Sequence, residues 1–359
     1  MRLLLTSDLH LTPRPEHAYR LEYLNWIARK CTEEYIDSVA ICGDLTDAKD
    51  RHPAWFVNSI CDSLALITSQ IGGGHLHVLA GNHDGPSKDE CFWAFLRHIE
   101  GIKHYTRPAA TPDAHCTLLF APFGTEHEVI SKLENLPTDR YYIVLMHTSV
   151  DNALVENGTR LANPNMPSRF IPEKFRGVPF GEKGSMVVYS GDIHVPQEVG
   201  DITYIGAPYH TRFGDQFTPR TLILDTVEQC VETLRYEEAP QLLTMRIEVP
   251  NMNQVIHFLQ THARPGDYVK LVGKGDRDLL PQDWKAFTKE VAQLLEENGV
   301  LLKGTELQIV RVDSTAIRAP SGRRSDVAIA RTYAHQQGFN EETTEAGLAI
   351  IDSSPKGNT

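Results

Sequence analysis

Five apolar runs in this chain end in residues of types that bind metal ions or move protons. Asp8 and His10 follow Leu3-Leu4-Leu5, and Asp44 follows Val39-Ala40-Ile41-Cys42. Asn82 and His83 follow Val78-Leu79-Ala80, His147 follows Val144-Leu145-Met146, and Asp192 and His194 follow Val187-Val188-Tyr189. One such set is weak evidence, because Asn82-His83-Asp84-Gly85 is also good turn chemistry. Repetition at five strand ends gives the sets their weight, since aligned strands would gather them at one edge of a sheet, where α/β proteins place ligands. In an extended chain, residues two apart point the same way, so Asp8 and His10 can converge on one ion.

Mixed carboxylate, amide and imidazole ligands suit Mn²⁺, Fe²⁺ or Zn²⁺ better than Ca²⁺ or Mg²⁺. The candidates are too many for one ion. Two ions sharing a bridging carboxylate would use them all, and Asp44, at the end of a central strand, is the natural bridge. Ions about 3.5–4 Å apart in this way hydrolyse phosphate esters: one activates a water, and both neutralise charge on the phosphoryl oxygens.

The elements that must position these residues follow from periodicity. Strands are expected at Arg2 to Ser7, Asp37 to Cys42, Leu76 to Ala80, Thr117 to Ala121, Tyr141 to Met146, Ser185 to Ser190, Ile202 to Ile205 and Arg220 to Leu224. Helical spacing covers Glu16 to Lys30 and Pro53 to about Gln70, and a short aromatic helix Cys91 to His98. Asp151 to Gly184, rich in Asn, Pro and Gly, reads as a long functional loop because strands resume after it. Beyond about residue 236 a βαβαβ unit is expected: strands Leu242 to Val249, Tyr268 to Val272 and Leu307 to Val312, with helices Met252 to Ala263 and Pro281 to Asn298. Arg318 to Ser325 is a linker by composition, followed by short amphipathic helices at Ser325 to Gln337 and Thr343 to Ile351. Two such helices bury little between themselves and need a surface, on this chain or another.

The chain has 359 residues, 41% apolar and 23% charged, with a net charge of −12. That length suggests more than one domain. No apolar run approaches the roughly 20 residues of a membrane helix, and the opening stretch Met1 to Thr6 is too short for a signal peptide. Six cysteines without a C-x-x-C pair read as reduced thiols, so a cytoplasmic location is expected. The acidic balance argues against broad nonspecific attraction to nucleic acid, while leaving room for a local basic groove or for metals that supply the positive charge.

Asp8-x-His10, Gly43-Asp44-x-x-Asp47, Gly81-Asn82-His83-Asp84, His147 and Gly191-x-x-His194 resemble, in order, the motifs of calcineurin-like metallophosphoesterases over residues 1 to about 225. Gly191-Asp192-Ile193-His194-Val195-Pro196-Gln197, His147-Thr148-Ser149-Val150, and Gly206-Ala207-Pro208 with Phe213-Gly214-Asp215 resemble one branch, the SbcD/Mre-type nucleases of double-strand-break repair. The resemblance implies an α/β fold: a β-sandwich flanked by helices over residues 1–235, an α+β capping domain over 236–315, and C-terminal partner-docking helices over 316–359. It implies that Asp8, His10, Asp44 and His194 hold one divalent ion, and that Asp44, Asn82, His147 and residue 192 hold a second. Mn²⁺ is expected, with Mg²⁺ as a second choice. His83 becomes the catalytic histidine that serves the leaving oxygen, and Asp47 is suggested to hold the His83 ring. The family has His where this chain has Asp192, and an Asp there offers a harder oxygen ligand.

The implied activity is a 3′→5′ DNA exonuclease with single-strand endonuclease activity, working in repair as a homodimer with an SMC-like, SbcC-type ATPase. A small-molecule phosphodiesterase or nucleotidase is the alternative within this chemistry, and a catalytically silent metal-binding scaffold the alternative outside it. Terminal docking helices favour the nuclease, and His83 with its complement of ligand types favours turnover. Asp84 reads as a turn former or as a partner of the ligands. Phe92, Trp93 and Phe95 read as core or as an interface between protomers, and His52, His210 and Arg212 as surface residues or phosphate contacts.

Overall fold

The computed structural model describes residues 1–309, apart from 73, 88, 114–115, 163–165, 277–278 and 280, together with 341, 344 and 345. Its strands are β1 Arg2–Thr6, β2 Ser38–Cys42, β3 Leu76–Leu79, β4 Ile102–Tyr105, β5 Ala109–Pro112, β6 Cys116–Ala121, β7 Tyr141–His147 and β8 Met186–Gly191. They continue with β9 Gln197–Val199, β10 Ile202–Tyr204, β11 Thr221–Asp225, β12 Cys230–Leu234, β13 Leu242–Glu248, β14 Tyr268–Gly275 and β15 Leu301–Ile309. The helices are α1 Ala18–Glu33, α2 Ala54–Gln70, α3 Glu126–Leu133, α4 Met252–His262 and α5 Pro281–Glu297.

Two six-stranded mixed sheets, β12-β11-β1-β2-β3-β4 and β5-β6-β7-β8-β10-β9, form a sandwich with helices on its outer faces. The alternation of each strand sets the layers. Leu3 and Leu5 of β1 enter the core between the sheets with Phe120, Ile143 and Leu145 of the other sheet. Leu4 points the opposite way, onto Leu24 and Ile27 of α1 and Ile60 and Leu64 of α2. Strands buried on both faces explain the near-continuous apolar runs. β1 to β4 run parallel, and so do β6, β7, β8 and β10. The carboxyl ends of β1, β2 and β3 therefore lie along one edge of the first sheet, and those of β7 and β8 along one edge of the second.

Several elements differ from the periodicity. α1 begins at Ala18, after a one-turn 3₁₀ helix at Pro15–His17, and Phe92–His98 is 3₁₀ rather than α. β4, β5, β9 and β12 are three to five residues long, at or next to sheet edges, too short and too mixed to announce themselves. β15 starts at Leu301 rather than Leu307, because an edge strand with exposed positions along its whole length shows no apolar run. The stretch after β7 is irregular, as expected of a loop, yet it buries Val150, Ala153, Met166 and Phe175 against the second sheet. Residues 242–309 form a three-stranded sheet, β13-β14-β15, with Val255 of α4 and Phe287, Val291 and Leu295 of α5 packed on one face. The expected linker and terminal helices lie outside the described residues, apart from 341, 344 and 345. No helix among the described residues is long and apolar enough to cross a membrane.

Phe120 is buried between the sheets and stacks on Tyr105, with ring centroids 3.9 Å apart and planes 10° from parallel. Phe120→Ala is expected to lower the unfolding free energy by about 3–5 kcal/mol. Urea titration checks this, and a loss under about 1 kcal/mol would contradict the inter-sheet assignment.

Candidate metal centre

The chain leaves β1 and β2 as two parallel loops that zip together. Asp8 N–H donates to Gly43 O at 3.2 Å, His10 N–H to Asp44 O at 3.0 Å and Leu11 N–H to Leu45 O at 3.1 Å. Asp8, His10, Asp44 and Asp192 all take left-handed backbone, with φ of 56°, 42°, 54° and 80°. Such a conformation costs a non-glycine residue about 1–3 kcal/mol and persists only when its surroundings enforce it. Asp8 and His10 thus converge through successive left-handed turns, not through the strand alternation expected from the sequence.

The convergence centres on Asp44, which is 2% exposed. Its Oδ2 lies 3.5 Å from His10 Nε2 and its Oδ1 lies 3.4 Å from His147 Nε2. One carboxylate thus faces two imidazoles with different oxygens. On the His10 side, His194 Nε2 is 2.9 Å from His10 Nε2, and Asp8, His10 and His194 offer ligand atoms within 4.8 Å of one another. On the other side stand Asn82 and Asp192, whose Oδ1 atoms are 3.0 and 3.7 Å from His147 Nε2. Asp8, Asp44 and His147 also form a close group, joining the two sides. Asp192 N–H donates to Asp8 Oδ1 at 3.0 Å, so the residue is tied to both.

This donor set fits cations. Two imidazole nitrogens at 2.9 Å can share one proton or one cation, but cannot both be protonated. The Asn82 amide oxygen faces acceptors only; turned over, the amide nitrogen would donate to both Asp44 oxygens at 3.1 and 3.2 Å and to His147. An amide oxygen among carboxylate oxygens and an imidazole lone pair is the arrangement a positive ion stabilises. Glycines make the approach possible. A Cβ on Gly43, at φ 90°, would lie 2.1 Å from His147 Nδ1, and one on Gly81 would lie 2.2 Å from Asp44 Oδ1.

Two of the candidate ligand histidines, His147 and His194, are held by the far nitrogen, which fixes ring and tautomer. His147 Nδ1–H donates to Cys42 O at 2.8 Å. His194 Nδ1 lies 2.8 Å from Glu156 Oε1, with Thr211 Oγ1 at 3.2 Å. His10 Nδ1 faces Asp47 Oδ1 at 3.6 Å. The Asp47 carboxylate therefore serves His10. His83 is held instead by the Asp47 backbone carbonyl, which accepts from its Nδ1–H at 2.9 Å. That differs from the expected side-chain contact: the carboxylate faces His10 and the backbone carbonyl holds the His83 ring. His83 N–H donates to Asp44 Oδ1 at 2.9 Å, and its ring stands edge-on to His10 with centroids 4.9 Å apart.

Asp84 is fully buried and accepts from Gly81 N–H at 2.8 Å and Thr46 N–H at 3.3 Å, clamping the two ligand-bearing loops together. Trp93 is core: its indole N–H donates to Thr46 Oγ1 at 2.9 Å. His52 packs among Phe56, Phe92 and Trp93, and His210 bonds Phe217 O at 2.9 Å. Two residues had no signal in the sequence. Glu156 sits in the loop after β7, thirty-eight residues before His194, with no spacing to link them. Arg20 reads as an ordinary helix residue, yet is buried and donates to His10 O at 2.7 Å and Thr211 O at 3.1 Å.

Burial opposes the charge on Asp44, but His147 and His10 outweigh it and hold the carboxyl below its usual range. Burial also opposes charge on His147; Asp44, Asp192 and Asp8 overcome it and raise the imidazole to about 9. His194 is raised in the same way, with Glu156, Asp8 and Asp44 overcoming burial. Burial raises Asp192, and burial with the Asp44 charge raises Asp84 to about 7. Asp47 and Glu156 are held down to about 2, chiefly by His10 and His194.

A family model described as calcineurin-like phosphoesterase matches residues 1–196, more than half of the chain. No curated protein sequence matches the chain.

Two predictions follow from this geometry. Glu156→Gln should weaken Mn²⁺ binding by about 10–100-fold with the circular dichroism unchanged; undiminished affinity in a metal titration would remove Glu156 from the centre. A cation reaching His147 Nε2 must displace the proton that the imidazole carries below about 9. Mn²⁺ affinity should therefore rise about tenfold per pH unit between pH 6.5 and 8.5, with proton release seen by calorimetry in buffers of different ionisation enthalpy. A flat profile would contradict the assignment.

Proposed function

We propose a DNA nuclease, and the premise is membership: the chain belongs to the calcineurin-like phosphoesterase family. The observation that carries the proposal is the division of the Asp44 carboxylate between two ligand groups, with His83 on the same loop system. Asp8, His10, Asp44 and His194 would hold one divalent ion, and Asp44, Asn82, His147 and Asp192 a second, with Mn²⁺ favoured. Such ions supply charge neutralisation at the phosphoryl oxygens and an activated water. His83, with Nδ1–H fixed on the Asp47 carbonyl, presents Nε2 to the substrate and donates a proton to the leaving oxygen. A general acid of this kind contributes about 10²–10⁴-fold.

The motifs that resemble double-strand-break nucleases support the choice of substrate, and those at 191–197 and 206–215 also brace His194. Gln197 bonds both backbone groups of Leu154, accepting at 2.8 Å and donating at 2.7 Å, and so fixes the loop that carries Glu156. Ala207 N–H donates to His194 O at 3.0 Å. Asp215 accepts from Thr211 N–H at 2.9 Å and so places the Thr211 hydroxyl. On this reading the chain is a 3′→5′ exonuclease with single-strand endonuclease activity in DNA repair, acting as a homodimer. Residues 236–315 serve as its capping domain, and the apolar stripes of 325–337 and 343–351 dock an SMC-like, SbcC-type ATPase.

The test is nucleotide release from an end-labelled linear duplex, comparing wild type with His83→Ala in Mn²⁺, in Mg²⁺ and with chelator. Mn²⁺-dependent release, reduced at least about 10²-fold in His83→Ala, is the expected result. Hydrolysis of bis-p-nitrophenyl phosphate without release, even with the ATPase added, would replace the nuclease by a small-molecule diesterase.

A further inference from the structure

Phe123 is a partly exposed apolar side chain at the candidate metal centre. It is 39% exposed, although it follows the fully buried Phe120 and Ala121. Its ring stands edge-on to that of His147, with centroids 6.4 Å apart and planes at 76°. Other large exposed rings, Trp55 and Phe95, contact only Phe56, Phe92 and Trp93 among the ring pairs. Phe123 is the exposed ring that borders a ligand.

The backbone that carries it is fixed. Phe123 N–H donates to Ala80 O at 3.0 Å, which ties it to the strand end leading into Asn82 and His83. The turn after it is closed by Thr125, whose N–H and hydroxyl both donate to Pro122 O, at 3.1 and 2.7 Å. Gly124, at φ 77°, donates to Glu126 Oε1 at 2.8 Å. A ring on so rigid a turn loses little freedom when another planar group covers it. His147 and Phe123 thus place a candidate ligand ring and a partly exposed aromatic ring side by side. A nucleotide has the matching pair, a phosphate and a base joined by one sugar.

We infer that Phe123 is a nucleobase platform: its exposed ring stacks on the base next to the scissile phosphate and sets that phosphate against the His147 side of the centre. The inference rests on the nuclease reading and adds a base subsite to it. Stacking tolerates any base, since each has a π face, so the subsite favours nucleotides over other diesters without reading sequence.

The experiment uses the full chain and short single-stranded oligonucleotides in Mn²⁺. One set carries thymine throughout; the others carry an abasic tetrahydrofuran residue in turn on either side of the cleaved bond. Phe123→Ala should lose about 5- to 150-fold in kcat/KM on the thymine substrate and little on the abasic one. Phe123→Trp should retain discrimination, Phe123→Leu should lose most of it, and Mn²⁺ affinity should be unchanged in all three. Equal losses on both substrates, or weakened Mn²⁺ binding, would make Phe123 a structural support of His147 and overturn the inference alone. Wild type that cleaves without preferring the base-bearing substrate would do the same. Wild type that cleaves no oligonucleotide, even with the ATPase added, would overturn the nuclease reading and the inference with it.

Discussion

A carboxylate sealed from water and pressed between imidazoles depends on what lies around it. Asp44 is in that position, with His10 at one oxygen and His147 at the other. Burial disfavours its charge, and only its neighbours restore it. Those neighbours are charged or polar groups that also need partners, so the requirement spreads outward. His147 is satisfied by the Cys42 carbonyl, His194 by Glu156, and the Gly81 and Thr46 amides by Asp84, while His10 Nδ1 faces Asp47 at 3.6 Å. A ring of second contacts fixes every first contact, and that ring gives the centre its geometry.

The sandwich makes such crowding possible. Parallel strands in two sheets end at the same side, so five loops arrive together without a long excursion by any of them. The cost appears in the backbone, where four site residues are left-handed. The layers beneath offset that strain. Leu3, Leu5, Phe120, Ile143 and Leu145 hold the sheets in register, and the zipped loops after β1 and β2 carry that register up to Asp8, His10 and Asp44. Rigid strands under strained loops suit a site that must hold its ligand atoms in place before substrate arrives.

Much of this was legible in the chain itself. Buried parallel strands write themselves as apolar runs, and a run that halts at Gly43-Asp44 or Gly81-Asn82 marks a strand end with a polar tip. The ligand types could be read at each tip, and their number pointed to more than one ion. Short edge strands such as β9 and β12 could not be read, because half of each faces solvent and its pairing lies in the neighbouring strand. Asp47 was legible as a residue near the centre, but the histidine it serves was not. That choice depends on how the loops after β1, β2 and β3 pack together, which leaves no mark in composition.

The sequence by itself determined the buried strands, the set of candidate ligands and the kind of ion they suit, because these depend on local pattern and on the chemistry of side chains. Tertiary structure alone decided the division of Asp44 between two groups, the nitrogen each histidine turns inward, and the recruitment of Glu156 and Arg20. Those outcomes depend on which distant backbone carbonyl or carboxylate lies within about 3 Å of a ring, a distance set by packing between segments far apart in the chain.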